Sequence, residues 1–255
     1  MTLLVDVGNT RIKWATLAGG KLERRGSAVH RGALDAALAE LEGQLPKSAP
    51  RVIAANVAGD VVAAKLRTLV ATRPNSALEL VAVSPERFGV RCAYADPKRL
   101  GVDRWVAVLA AHHAARGAAC VVNAGTAVTF DAVAKDGAHL GGLIFPGAAL
   151  LAAALDRNTS DIGATPRAGA VPQGLELLGR STAAAVGNAA WLALAAAIDR
   201  AASTVARSLG TRPTVYLAGG DAAALRGWLE TPVEERADLV LEGLALFAAP
   251  TGEGN

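Results

Sequence analysis

Two short segments of this chain have the same form. Val5-Asp6-Val7-Gly8-Asn9-Thr10 closes one apolar run, and Val122-Asn123-Ala124-Gly125-Thr126-Ala127 closes another. Each sets a polar residue near the end of a β-branched stretch, then a spacer, a glycine and a small polar residue before a second alternating run. A duplicated strand-turn-strand unit, with helices after each copy, points to an α/β fold of two similar domains facing one another. The expected domains cover 1–116 and 117–255, with the boundary near Gly117 and the last helix packing back on the first domain. At 255 residues the chain can bury two cores, and 52% hydrophobic with only 19% charged residues excludes a disordered chain.

The pattern around each copy predicts the elements. TLLVDV, RIKWATLA and KLERRGSAV are strands, joined at Gly8-Asn9-Thr10 and Gly19-Gly20. Residues 32–44 have helical periodicity that stops near Pro46. RVIAANV is a strand, then come a helix over 59–72, the strand LELVAVS, the loop RCAYADPKRLG and a helix over 102–116. AACVVNAG, TAVTFDAVA and HLGGLIFPG repeat the three-strand start, with Asp136-Gly137 at a turn. Helices follow over 147–156 and 173–207, with room for a break near Gly179. TVYLAGGD is a strand entering a glycine turn. DAAALRGWLE and LVLEGLALFAA are helices, and Thr251–Asn255 is a frayed tail.

Charge and cysteine usage exclude several classes. The net charge of +3 is spread along the chain, and its densest basic cluster, Lys21 to Arg25, is interrupted by Glu23. That is a solvated hairpin face and not a nucleic-acid footprint. Cys92 and Cys120 make no disulfide framework and sit among apolar or small residues, as buried inert thiols do. Asp6 interrupts the first apolar run and no basic segment precedes it, so the N-terminus is not a signal peptide. The uncharged stretches after Asp136 and after Arg180 are glycine-broken or mostly alanine, whereas a membrane span needs about 20 strongly apolar residues. A soluble cytoplasmic protein is expected. His30, His112, His113 and His139 show no metal-site spacing, the four tryptophans are packing residues, and Asp131 is assigned no role.

The two turns carry the chemistry. A carboxylate at a strand's end, Asp6, can hold Mg²⁺ directly or through water. Gly8 lets the backbone approach a phosphate, the turn N–H groups form a nest for its oxygens, and Arg11 and Lys13 add positive charge. A plain hairpin with Asx hydrogen bonds would use the same residues. The second copy changes the balance, because two glycine-bearing turns can close on a nucleotide from both sides, an arrangement suited to phosphoryl transfer. No Walker-type loop occurs. Gly219-Gly220-Asp221 would admit a base or ribose, but alone is an ordinary strand-to-helix turn with Asp221 as N-cap. In Gly101-Val102-Asp103-Arg104, Asp103 can accept a proton from a substrate hydroxyl and Arg104 can hold an anion; locally, both also suit an ordinary helix start. These residues lead to an ATP-dependent phosphotransferase with an unspecified acceptor.

Asp6-x-Gly8-Asn9-Thr10 with Arg11 and Lys13, then Gly101-Val102-Asp103-Arg104, Gly125-Thr126-Ala127 and Gly179-Arg180-Ser181-Thr182, closely resembles the type III pantothenate kinase family. The match is collinear over nearly the whole chain, and GVDR is more specific than the phosphate turns. The resemblance implies two ribonuclease H-like domains facing a cleft, as in the actin-like ATPase superfamily. It also implies phosphorylation of pantothenate by ATP, the first step of coenzyme A synthesis. By position, Asp6, Val7, Gly8, Asn9, Thr10, Arg11, Ile12 and Lys13 would bind ATP phosphates, with Asp6 organising Mg²⁺ and Thr126 contacting the nucleotide. Asp103 would take the proton, and Tyr94, Gly101, Val102, Asp103, Arg104 and Thr182 would hold pantothenate. The family is dimeric, with the acceptor site near the subunit interface. One departure stands out: where many relatives place Asp to bind K⁺ or NH₄⁺, this chain has Asn123, which keeps an oxygen ligand and loses the charge. Two rivals remain: a superfamily kinase or phosphatase acting on another small molecule, and a nucleotide-binding regulatory accessory factor.

Overall fold

The structure is a computed structural model that describes residues 1–44, 51–158 and 171–249. The expected helix stop at Pro46 and the tail Thr251–Asn255 lie outside the described residues, as do Ser160 and Asp161. In chain order the elements are β1 (Thr2–Val7), β2 (Arg11–Ala18), β3 (Lys21–Val29), α1 (Leu34–Gln44), β4 (Arg51–Asn56), α2 (Asp60–Ala71), β5 (Ala77–Leu80), β6 (Glu86–Arg87), β7 (Val90–Arg91) and α3 (Val102–Ala114). Then follow β8 (Ala119–Ala124), β9 (Ala127–Val133), β10 (His139–Pro146), α4 (Ala148–Asn158), α5 (Thr182–Leu209), β11 (Thr214–Ala218), α6 (Ala222–Arg226), β12 (Glu234–Glu235) and α7 (Leu239–Ala248).

The chain divides into two compact units. One holds residues 1–88, 94–110 and those from 238 on; the other holds 89–93 and 111–237. The division falls inside α3, and α7 belongs to the first unit. Each unit is built on a five-stranded sheet, ordered β3-β2-β1-β4-β5 in the first and β10-β9-β8-β11-β12 in the second. In both, three antiparallel strands start the unit and two parallel strands extend it on the other side. The two short turns therefore stand at the same place in two copies of one topology. The registers Val7–Ile12 and Ala124–Val128 make Asp6 equivalent to Asn123, and Gly8 to Gly125.

Strand periodicity sets what each face does. Leu3, Val5 and Val7 of β1 pack with Ile12, Trp14, Val52 and Ala54 under α1 and α2. Successive side chains alternate, so Leu4 and Asp6 lie on the opposite face. The last helix packs against β1, β2 and β4. In the second unit Cys120, Val122 and Ala124 face Trp191, Leu194 and Ile198 of α5.

Three expectations change. The helix expected over 173–207 is a short 3₁₀ turn at Gly174–Leu177 followed by α5 from Thr182. Ser181 caps α5, its Oγ accepting from the Ala184 N–H at 3.2 Å. Only Ala222–Arg226 of DAAALRGWLE is helical, with the unexpected strand β12 beyond it. Finally, α5 is long and apolar enough to cross a membrane by length and composition. Its buried residues, Val186, Ala190, Trp191, Leu194, Ala195, Ile198 and Ala202, recur at helical spacing, and all but Val186 belong to the core of the second unit. The alanine-rich stretch thus serves close helix-on-sheet packing.

One close approach fixes α7. A Cβ on residue 243 would overlap the Val106 carbonyl oxygen of α3. Because the obstacle is backbone, it cannot rotate away. Gly243→Ala is expected to lower stability by about 3 kcal/mol, read by thermal melting; a melting point equal to that of the native chain would show that the two helices have slack.

Candidate active site

Asp6 stands one residue before the end of β1, at the carboxyl end of a central strand. Its cross-strand partner is Lys13 of β2, so the two side chains share one face of the sheet. The residue keeps some exposed surface, but its Oδ1 is fully buried and has no hydrogen-bond partner among the described residues. Burial pushes its pKa up from the ordinary 3.8 to about 7, the charge of Asp103 adds to the rise, and Lys13 opposes it. Asp6 and Asp103 belong to the same unit and feel each other's charge.

The turn after Asp6 closes with the Gly8 N–H donating to the Arg11 carbonyl at 3.1 Å. Asn9 and Arg11 are exposed, and Gly8, Thr10 and Lys13 are partly so. Val7 and Ile12 are in the core, 1% and 0% exposed, and can offer a nucleotide only their backbone.

Asp103 lies in the first turn of α3, where its Oδ1 accepts from the Arg104 backbone N–H at 2.8 Å. Gly101 keeps that rotamer open, since a Cβ there would come within 2.8 Å of the same oxygen. Arg104, only 7% exposed, donates from Nη1 to the Tyr94 hydroxyl at 3.2 Å. Tyr94, Gly101, Val102, Asp103 and Arg104 are thereby held in one unit with Asp6 to Lys13.

Asn123, Thr126 and Thr182 belong to the second unit. Asn123 is half-buried at the end of β8 and Thr126 is exposed in the turn, where the Gly125 N–H donates to the Ala127 carbonyl at 3.1 Å. Thr182 is exposed at the first position of α5, at the positive end of that helix. By its sequence alone Gly219-Gly220-Asp221 is an ordinary strand-to-helix turn. The structure packs it on the Asn123–Gly125 turn: a Cβ on residue 219 would overlap the Ala124 backbone, and the Asp221 N–H donates to the Ala124 carbonyl at 3.0 Å. Asp221 stands at the N-cap of α6 but makes no side-chain cap bond, and burial pushes its pKa up. His30, also passed over, is 7% exposed with Nε2 2.6 Å from the Gly8 carbonyl oxygen. The buried pair His139 and Asp131 is 3.2 Å apart, Nε2 to Oδ1, with the Ala93 N–H directed at His139 Nδ1 at 3.4 Å.

The residues present fit a divalent cation. An orphaned, buried carboxylate oxygen at a strand end is a hard ligand without a partner. Among the described residues no three His, Cys, Asp or Glu side chains converge, so such a cation would complete its shell with phosphate oxygens and water.

The raised pKa has a consequence for stability. Asp6 binds its proton more tightly in the fold than in the unfolded chain, so its contribution is fully present below about pH 4 and is lost as pH rises through about 7. In metal-free buffer Asp6→Asn is expected to melt higher than the native chain at pH 8, by about 4 °C, with the gap closing at pH 4. Parallel melting curves across that range would remove the burial argument.

Comparison with known proteins agrees with this geometry. The family description "Type III pantothenate kinase" matches residues 2–204. A type III pantothenate kinase from Nitrosococcus oceani is 38% identical over 99% of this chain and 96% of its own length. One from Aromatoleum aromaticum is 39% identical over 97% of this chain and 98% of its own. Among solved structures, one described as a Baf family transcriptional activator from Campylobacter jejuni superposes with a TM-score of 0.59 at 20% identity, covering 97% of this chain and 98% of that one. The two-sheet α/β architecture is that of the sugar kinase and actin-like ATPase fold. The chain belongs to the type III pantothenate kinase family.

Proposed function

We propose that this enzyme transfers the γ-phosphoryl group of ATP to the hydroxyl of pantothenate, giving 4′-phosphopantothenate and ADP, the first step of coenzyme A synthesis. The observation that carries the reading is the placement of Asp6 and Asp103 in one unit, near enough that one charge shifts the other's titration. The hydroxyl oxygen of pantothenate attacks the γ-phosphorus, its proton passes to the Asp103 carboxylate, and the bond to the β-phosphate oxygen breaks with its electrons leaving on ADP. The Arg104 N–H bond to Oδ1 holds that carboxylate in place. The turn from Gly8 to Arg11 and Lys13 cradles the phosphates, and the family resemblance assigns Thr126 to the nucleotide. Mg²⁺ on Asp6 would neutralise phosphate charge during transfer. Arg104 and Tyr94, bonded to each other, hold the acceptor; the family resemblance assigns Thr182 to the same substrate.

The active form is a homodimer. Its support is an apolar, open groove of about 530 Å³ in the second unit, lined by Phe130, Leu140, Leu143, Phe145, Ala197 and Ala201. β10, the edge strand of its sheet, forms one wall of the groove, where Leu140 and Leu143 are 46% and 45% exposed. Two free cysteines suit a reducing cytoplasm. The buried face of α5 supports a packed helix and not a membrane span.

The deciding experiment is ADP release from ATP and Mg²⁺ with and without pantothenate, using a panel of other hydroxy acids. Release that requires pantothenate is expected. Asp103→Asn should lower kcat about 10³-fold and leave ATP binding near the native level; near-native turnover would take Asp103 out of the chemistry. A nucleotide-binding regulator would bind ATP and release no ADP under any acceptor. Because Asn123 offers no charge, turnover in K⁺ and in Na⁺ should be similar, and a strict K⁺ requirement in the same assay would contradict that.

A further inference from the structure

The duplication supplies an internal comparison. Val29 pairs with Arg11 at the end of β3, and Pro146 pairs with Ala127 at the end of β10, so His30 and Gly147 are equivalent. Each donates its backbone N–H to the turn it faces: His30 to the Thr10 carbonyl and Gly147 to the Thr126 carbonyl, both at 2.9 Å. In the second unit a side chain is excluded, because a Cβ on residue 147 would overlap the Gly125 carbonyl oxygen. The first turn is one residue longer. Against the equivalent glycine carbonyl it holds an imidazole ring, buried, with Nε2 2.6 Å from the Gly8 oxygen. A carbonyl only accepts, so Nε2 carries the hydrogen.

We infer that His30 is a positioning residue for the phosphate turn, its ring N–H fixing the Gly8–Asn9 peptide so that the Asn9 N–H is aimed at the triphosphate of ATP. The inference rests on the kinase reading. The bond acts through peptide planarity: in a trans peptide the C=O and N–H point in opposite directions, and no peptide among the described residues is cis. Tying the Gly8 oxygen to His30 sends the Asn9 N–H away from the ring, on an exposed residue. The Thr10 oxygen is tied back too, by the N–H of His30 and, at 3.4 Å, that of Arg31. Two carbonyl dipoles that would repel phosphate oxygens are turned toward the protein. In the second copy the carbonyl of the residue after the turn glycine is tied back by a backbone N–H, while the glycine carbonyl lies against Gly147, where no side chain fits. The ring is therefore particular to the turn that bears Asp6.

The test titrates the native chain, His30→Ala and His30→Gln with Mg²⁺ and ATP by calorimetry, and measures both Michaelis constants and the melting temperature. His30→Ala is expected to weaken ATP binding about 10-fold, with the KM for pantothenate and the melting temperature unchanged. His30→Gln, which keeps a donor, should recover most of the affinity. Native ATP affinity in His30→Ala overturns the inference. So does a joint loss of melting temperature and both Michaelis constants that Gln fails to rescue, since that is a packing role. A native chain that binds no ATP overturns the kinase reading itself, an outcome visible before any variant is measured.

Discussion

A carboxylate forced out of water at the end of β1 organises the site. Strand alternation puts Asp6 on the face opposite Leu3, Val5 and Val7, and the register sets Lys13 beside it. Burial and the charge of Asp103 both disfavour its ionised form, and one lysine opposes them. Such a group is a liability to the fold and an asset to a site that must attract cations and position phosphate, which is where proteins retain this kind of strain. The surrounding features follow from accommodating it. Glycine at 101 leaves room for the Asp103 rotamer, and the Arg104 side chain donates to the Tyr94 hydroxyl.

Duplication explains why the two turns look alike, and their differences explain why they need not act alike. Asp6 corresponds to Asn123, so one copy carries an ionisable carboxyl and the other a neutral amide. His30 corresponds to Gly147, so one copy braces its turn with a ring and the other packs backbone on backbone. One topology has been specialised by exchanging a few residues at strand ends, leaving the strand order untouched.

Much of this was legible in the sequence. The alternation in TLLVDV and ACVVNA and the glycine turns after them located both central strands, and GVDR located the helix start that carries Asp103. What stayed hidden depends on contacts between residues distant in sequence. His30 follows a strand and carries no motif; only the pairing of β3 on β2 brings it to Gly8. Asp131 and His139 meet at 3.2 Å across the β9–β10 hairpin, yet alternation alone does not tell a buried polar pair from a solvated one. Gly219 looked like any strand-to-helix glycine until β11 was laid beside β8. The apolarity of α5 was underestimated because alanine contributes little per residue, although 28 residues in sequence sum to a long greasy rod.

The membership of α7 in the first unit bears on how the chain is made. Synthesis runs from the N-terminal to the C-terminal side, so the helix that covers β1, β2 and β4 leaves the ribosome after all of residues 111–237. The sheet of the second unit, β8 to β12, can assemble while the first unit waits with one sheet face uncovered. The half that begins first is completed last, and during that interval Leu4 and its neighbours on that face depend on chaperones or on provisional contacts for shelter from aggregation.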